Sequence, residues 1–239
     1  WAEGPDRGGP FGPYTQSERQ QQYRVLFDRL RQTGQVYPCT CSRKDILQAL
    51  NAPHEGDDEP IYPGTCRPRS IAAASNRLPQ PPAGSGVGPK ARVNWRFRVP
   101  EGEAISFVDG FYGPRVFIAG RDFGDFIVWR HDDLPSYQLA VVADDQAMRI
   151  TEVVRGADLL RSTARQLLLY RALGFAPPDF FHFPLVTDEQ GVRLAKRHDA
   201  LSLRTLRIQG RSPVEFQEAI RRSLLRSLDG AAGDRKSVV

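Results

Sequence analysis

The sequence predicts an α/β protein in which a parallel sheet is interrupted by a smaller β-rich module. Three observations carry this. Residues 126–174 run through apolar strands, a loop, a capped helix and a glycine stop, the order of a βα unit. Residues 92–118 hold short runs of strand-forming residues that fit an antiparallel arrangement. All three cysteines, Cys39, Cys41 and Cys66, fall in one stretch just ahead of those runs, as the ligands of a small metal module do.

Composition bounds the function classes. Of 239 residues 40% are apolar, enough for a substantial core. No apolar run approaches the length of a membrane span, and Trp1-Ala-Glu-Gly-Pro5 lacks the basic start and apolar centre of a signal peptide, so the expected location is the cytoplasm. The only methionine is Met148 and residue 1 is a tryptophan, so the chain reads as a fragment or processed form. A net charge of +5, mostly from arginine, favours a polyanionic partner such as RNA, although a charge of this size is also ordinary for a solvated surface.

The elements follow in order. Thr15-Gln-Ser-Glu18 has the form of a capping box, and Tyr23, Leu26, Phe27 and Leu30 recur at three and four residues, predicting a helix over 13–33 that ends near Gly34. Ser42 is the expected N-cap of a second, short helix. Residues 51–88 are dense in Pro, Gly, Ser and charge and read as a mobile loop. Strands are expected over 92–99, 105–107, 116–118, 126–130, 137–142 and 150–154, with a turn at Asp144-Asp145. Thr163-Ala-Arg-Gln166 reads as a capping box ahead of a helix closed by Gly174, and residues 181–186 as one further strand. Ser212-Pro-Val-Glu215 should cap a last helix carrying Phe216, Ile220 and Leu224, before a disordered tail from Gly230. The resulting division is 1–36, 37–126 for the cysteine-bearing module, 127–190, and 191–239.

The cysteine cluster carries the clearest chemistry. Thiolates brought together by a C-x-C turn and a distant third sulfur suit a tetrahedral zinc ion. The fourth ligand is open on chemical grounds: His54 is the commoner type, and Tyr62 would have to ionise beside the metal. In an open α/β sheet ligands bind beyond the carboxyl ends of the strands, which places Arg155-Gly156 and the Arg193-Leu-Ala-Lys-Arg197 loop at a site. Lys196 could stabilise charge on a transferring phosphate, against the plain alternative of a solvated lysine. Tyr137, at the start of an apolar run, reads by default as a core strand residue.

Taken together, Tyr137-Gln-Leu-Ala-Val-Val-Ala-Asp-Asp145, residues 150–160 and residues 163–174 resemble the second half of the catalytic Rossmann domain of class I glutamyl-tRNA synthetases. Arg193-Leu-Ala-Lys-Arg197 is similar to their K-M-S-K-S loop; it departs at the first position and at the serine, where Ala195 stands, and keeps the second lysine as Lys196. Cys39-Thr-Cys41, Tyr62 and Cys66 resemble the three-cysteine, one-tyrosine zinc site of the glutamyl-Q tRNA(Asp) synthetases, short paralogues without an anticodon-binding domain. Residues 8–19 resemble the same subgroup, and the likeness spans about residues 1–210.

The resemblance implies an incomplete class I synthetase Rossmann domain interrupted by a zinc-containing insertion module. It implies activation of glutamate with ATP, Mg2+ assisting, and transfer to queuosine in the anticodon of tRNA(Asp) by a monomer. Tyr137 and Arg155 would contact glutamate, Lys196 would bind the ATP phosphates, and Cys39, Cys41, Tyr62 and Cys66 would hold a structural zinc. The family's H-I-G-H signature does not occur in these 239 residues, so the fragment is expected neither to activate glutamate nor to complete its sheet. Two other readings are a piece of a glutamyl-tRNA synthetase charging tRNA(Glu) and a non-catalytic zinc-containing RNA-binding protein.

Overall fold

The computed structural model describes residues 2–42, 44–46, 61–69, 92–185, 203–215, 217–218 and 220–222. His54, Lys196 with its loop, most of the segment 51–88, Phe216, Leu224 and the tail from Gly230 lie outside the described residues. Two compact units divide the chain. The first comprises Trp1–Phe107, Pro114–Val153 and Arg161–Asp179; the second comprises Val108–Gly113, Val154–Leu160 and Phe180–Val239. Among the described residues no helix is long and apolar enough to cross a membrane.

In the first unit, helix α1 (Gln20–Gln32) buries Tyr23, Phe27 and Leu30 on the expected stripe. Its end is fixed as Gly34 takes a φ of +70°, Gln35 N–H reaches the Leu30 carbonyl and Gly34 N–H that of Arg31. The capping box at Thr15 does not form: Thr15 makes no side-chain cap bond to the short 3-10 turn Gln16–Glu18. Arg19 instead locks this entry. Only 1% exposed, it pairs through Nε with Asp144 Oδ1 at 2.6 Å and donates Nη1 to the Pro13 carbonyl at 2.7 Å.

Strands β1 (Val36–Cys39), β2 (Asn94–Phe97) and β5 (Phe126–Trp129) form an antiparallel sheet in the order β1-β2-β5, with Val36 opposite Phe97 and Cys39 opposite Asn94. The strand expected at 126–130 is therefore present, but it pairs antiparallel with β2 instead of joining a parallel sheet. Its packing explains this: Trp129 stacks on Phe27 with ring centroids 4.8 Å apart, and Trp95 of β2 meets the same ring edge-on, so β2 and β5 share one aromatic contact with α1.

Helix α2 (Tyr137–Ala147) replaces the strand expected at 137–142 and the turn at Asp144-Asp145. Leu139, Ala140, Val142 and Ala143 are its buried residues, a helical stripe that a short apolar run cannot distinguish from a strand. Both aspartates stay helical because each has a partner elsewhere: Asp144 accepts from Arg19 and Tyr23, and Asp145 from Tyr170. Arg149, at a φ of +55°, ends the helix in the place usually taken by glycine. That ending consumes Ile150, so strand β6 runs over Glu152–Gly156, later than expected.

Helix α3 (Leu160–Leu173) begins before Thr163, which is fully buried inside it; the proposed capping box is instead part of a packed face with Ser162, Ala164 and Gln166. Gly174 closes it at φ +68° as expected. Strands β3 (Ala104–Asp109), β4 (Gly113–Ile118), β6 and β7 (Asp179–Phe183) form a sheet in the order β4-β3-β7-β6. Within the second unit, β3 and β7 pair in parallel with Asp109 opposite Phe180. The architecture is thus α/β with both parallel and antiparallel pairing. Helix α4 (Leu203–Ile208) follows, and Ser212 Oγ accepts the Val214 N–H at 3.3 Å ahead of the helical residues 213–215, with Pro213 at the first position.

Candidate functional site

The first unit gathers the three cysteines. Cys39 ends β1 and Cys41 follows two residues on, before a cap in which Ser42 Oγ accepts the Asp45 N–H at 3.2 Å while Asp45 Oδ2 accepts the Ser42 N–H at 2.7 Å. Cys66 returns through the turn at Gly64, whose φ of +80° favours glycine and whose carbonyl accepts the Arg67 N–H. Gly124 holds the other side: a Cβ there would lie 2.9 Å from Ile61 Cγ2 and 3.1 Å from Tyr62 N.

The donor set fits a tetrahedral ion. Among the described residues these three sulfurs form the group of metal-ligating atoms, all within 4.8 Å of one another. Tyr62 Oη lies 3.4 Å from Cys39 Sγ and 3.6 Å from Cys41 Sγ, and Cys41 Sγ is 3.5 Å from Cys66 Sγ. Zinc bonds of about 2.3 Å to sulfur and 2.0 Å to oxygen place tetrahedral ligand atoms roughly 3.5–3.8 Å apart. The Cys66 backbone N–H donates to Tyr62 Oη at 2.7 Å, a bond that strengthens as the phenol ionises.

Positive charge compensates this cluster. Arg96, 6% exposed on β2, donates Nε to Cys39 Sγ at 3.3 Å and lies 3.9 Å above the Tyr62 ring centre. Without a cation the hydrogen bond from Cys39 draws the Cys66 thiol down to about 4, while burial pushes the Tyr62 phenol up. A bound metal would therefore be what ionises Tyr62.

A cleft of about 720 Å³ adjoins the cluster, with Cys41, Tyr62, Tyr137 and Gln138 among the residues that line it. Arg92, Arg96, Arg130 and Arg165 line it with the carboxylate Asp125, Arg130 being paired with Asp132 and Arg96 bonded to Cys39 Sγ and the Asp125 carbonyl, so the lining carries more positive than negative charge. Tyr137 is not the buried strand residue expected: it opens α2 and is 49% exposed. Gln138 is fixed by the Gln166 amide at 2.9 Å and by Ser162 at 3.1 Å.

Arg155 belongs to the second unit and lies within β6, near its end, instead of in a loop beyond it. It donates Nε–H to His182 Nε2 at 3.0 Å, and its guanidinium stands over the Phe180 ring at 5.3 Å. His182, fully buried, contacts Asp109 Oδ2 through Nδ1 at 2.6 Å. Asp109 also accepts the backbone N–H groups of Phe111, Tyr112 and His182. Sequence reasoning missed Asp109 and His182. They are 73 residues apart and meet only through the β3–β7 pairing.

These groups set an acid limit on stability. Burial, with the Arg155 charge adding to it, pushes the His182 imidazole below its usual 6.5 despite the hydrogen bond and charge of Asp109 and the charge of Asp158, which act the other way. Burial would raise the Asp109 carboxyl, but the Tyr112 N–H, the His182 ring and the other amides bring it below 3.8. The unfolded chain thus takes up the extra proton as pH falls beneath 6.5, and stability present above that value is lost on acidification, with a second loss below 3.8. The urea midpoint is expected to fall between pH 7.5 and pH 5, less steeply in His182→Gln; a midpoint that rises over that range would contradict this.

Residues 4–228 match the catalytic domain of the class I tRNA synthetases (E and Q). The chain is 48% identical over 210 residues to a glutamyl-Q tRNA(Asp) synthetase of Nitratidesulfovibrio vulgaris, covering 88% of this chain and 62% of that protein. It is 47% identical over 219 residues to a protein of the same name from Symbiobacterium thermophilum, covering 89% and 63%. A glutamate-tRNA synthetase structure from Elizabethkingia anophelis superposes with a TM-score of 0.64 at 30% identity, over 84% of this chain and 40% of that one. The chain therefore spans less than two thirds of the length of these relatives, and over residues 4–228 it belongs to the class I tRNA synthetases (E and Q) through their catalytic domain.

Proposed function

We propose that the protein acts in the ATP-dependent activation of glutamate to glutamyl-adenylate and in its transfer to queuosine in the anticodon of tRNA(Asp). The observation that carries this reading is the 47–48% identity to two relatives named glutamyl-Q tRNA(Asp) synthetase, across nearly nine tenths of the chain. The arginine-lined cleft supports it, since substrate carboxylate, phosphate and RNA are all anionic. A protein named glutamate--tRNA ligase from Sulfurihydrogenibium matches less closely, at 39% identity.

In this reading Tyr137 and Arg155 bind glutamate, Arg155 through a two-pronged charge-assisted pair with a carboxylate of the substrate. Lys196 neutralises charge on the ATP phosphates, with Mg2+ as the second cation. Cys39, Cys41, Tyr62 and Cys66 hold zinc, whose four protein ligands leave no open position, so the ion supplies folding energy to the module and no chemistry to the reaction. In the same reading residues 37–126 are the inserted module and 127–190 the second Rossmann half. Residues 191–239 carry the phosphate-binding loop and a helical segment.

Lys196→Ala in the full-length gene product is expected to slow glutamate-dependent pyrophosphate exchange by about 100-fold or more, the scale of losing one charge-stabilising group. Zinc content should not change. Equal exchange rates would remove Lys196 from the reaction, and parallel loss of zinc would mean the substitution acts through folding.

A further inference from the structure

We propose that His182 is a positioning residue for Arg155, holding its guanidinium in the orientation that receives the substrate carboxylate. The inference rests on the reading of Arg155 as the glutamate-binding arginine and deepens it. It follows from the hydrogen-bonding capacities of three groups within the second unit. A guanidinium Nε can only donate, so at 3.0 Å from Arg155 Nε the His182 Nε2 must be the accepting lone pair. The ring proton then sits on Nδ1 and is donated to Asp109 Oδ2 at 2.6 Å. Asp109 is held as the ionised acceptor by three backbone N–H groups, those of Phe111, Tyr112 and His182. Asp109 therefore fixes the tautomer of His182, and His182 fixes the edge of Arg155.

A second contact restricts the side chain further. The Phe180 ring, opposite Asp109 in the β3–β7 register, lies 5.3 Å from the Arg155 guanidinium carbon. The bond at Nε and the neighbouring aromatic ring restrict rotation about the last side-chain torsions. A bidentate carboxylate pair needs that plane fixed before the ligand arrives, because an arginine that must be ordered on binding loses affinity to the entropy of ordering. His182 and Asp109 are 0% and 1% exposed, so neither can itself reach a substrate.

The test compares His182→Phe, which keeps the ring volume and removes the acceptor, with His182→Gln, whose amide can accept from Arg155 and donate to Asp109. Glutamate and ATP dependence of pyrophosphate exchange are measured in the full-length gene product, with thermal melting as the check on folding. His182→Phe is expected to raise the KM for glutamate by about tenfold or more at unchanged KM for ATP, and His182→Gln to restore most of it. An unchanged glutamate KM in folded His182→Phe would overturn the proposal while leaving the site reading intact; no glutamate-dependent exchange in the unaltered protein would overturn that reading itself. Should His182→Phe fail to fold, 15N NMR of the unaltered chain decides: a protonated Nε2 at neutral pH would overturn the proposal, and an unprotonated Nε2 with a proton on Nδ1 would support it.

Discussion

Cys39→Ser is expected to abolish zinc binding, reducing the metal from about one ion per chain to a trace, and to unfold the surroundings of the cluster. Structural zinc contributes on the order of 10 kcal/mol or more of apparent binding free energy in small modules, so loss of one thiolate ligand is also a loss of folding energy. Cys39 has a second role here. Its sulfur receives the Arg96 Nε–H, and it forms a small core with Tyr37 and Tyr62 against which Cys41, Ile46 and Cys66 pack. Loss of the ion would leave Arg96 beside a neutral hydroxyl in a buried position, so protection of amide hydrogens in β1 and β2 should fall together. His54→Ala is expected to keep its zinc, because the Tyr62 phenol already lies at ligand distance from the sulfurs. Retained zinc in Cys39→Ser with loss in His54→Ala would make the histidine the ligand.

Arg155→Ala should raise the KM for glutamate by about 100-fold, the scale of removing one partner from a desolvated charge pair, with the KM for ATP unchanged. The effect should exceed that of His182→Phe, since the first removes the guanidinium and the second only loosens it. Arg155→Lys is expected to recover little, because an ammonium cannot make the same two-pronged contact or the bond to His182 Nε2 in that plane. An unchanged glutamate dependence in Arg155→Ala would remove Arg155 from the site.

Where the physics is local, the elements could be read from the sequence. The stripe of Tyr23, Phe27 and Leu30 and the stop at Gly34 define α1 without reference to anything distant. The three cysteines were legible as a cluster because they are few and close, whereas their fourth partner was not: chemistry alone favoured His54, and only the family likeness pointed to Tyr62. Helix α2 was misread because Leu139-Ala-Val-Val142 is too short to show its period, and because the aspartates that seemed to end it are held by Arg19, Tyr23 and Tyr170. Strand β5 was legible as a strand, but its antiparallel pairing with β2 was not, since that is set by an aromatic contact with α1. Asp109 and His182 left no sequence signal at all, since a buried aspartate and histidine in separate strands become a site only through strand pairing.

The acceptor separates the two synthetase readings, and glutamylation by the full-length gene product of three tRNAs decides it: tRNA(Asp) bearing queuosine, tRNA(Asp) without it, and tRNA(Glu). Glutamate is expected on the queuosine-bearing tRNA(Asp) alone, whereas glutamylation of unmodified tRNA(Glu) would overturn the proposed function.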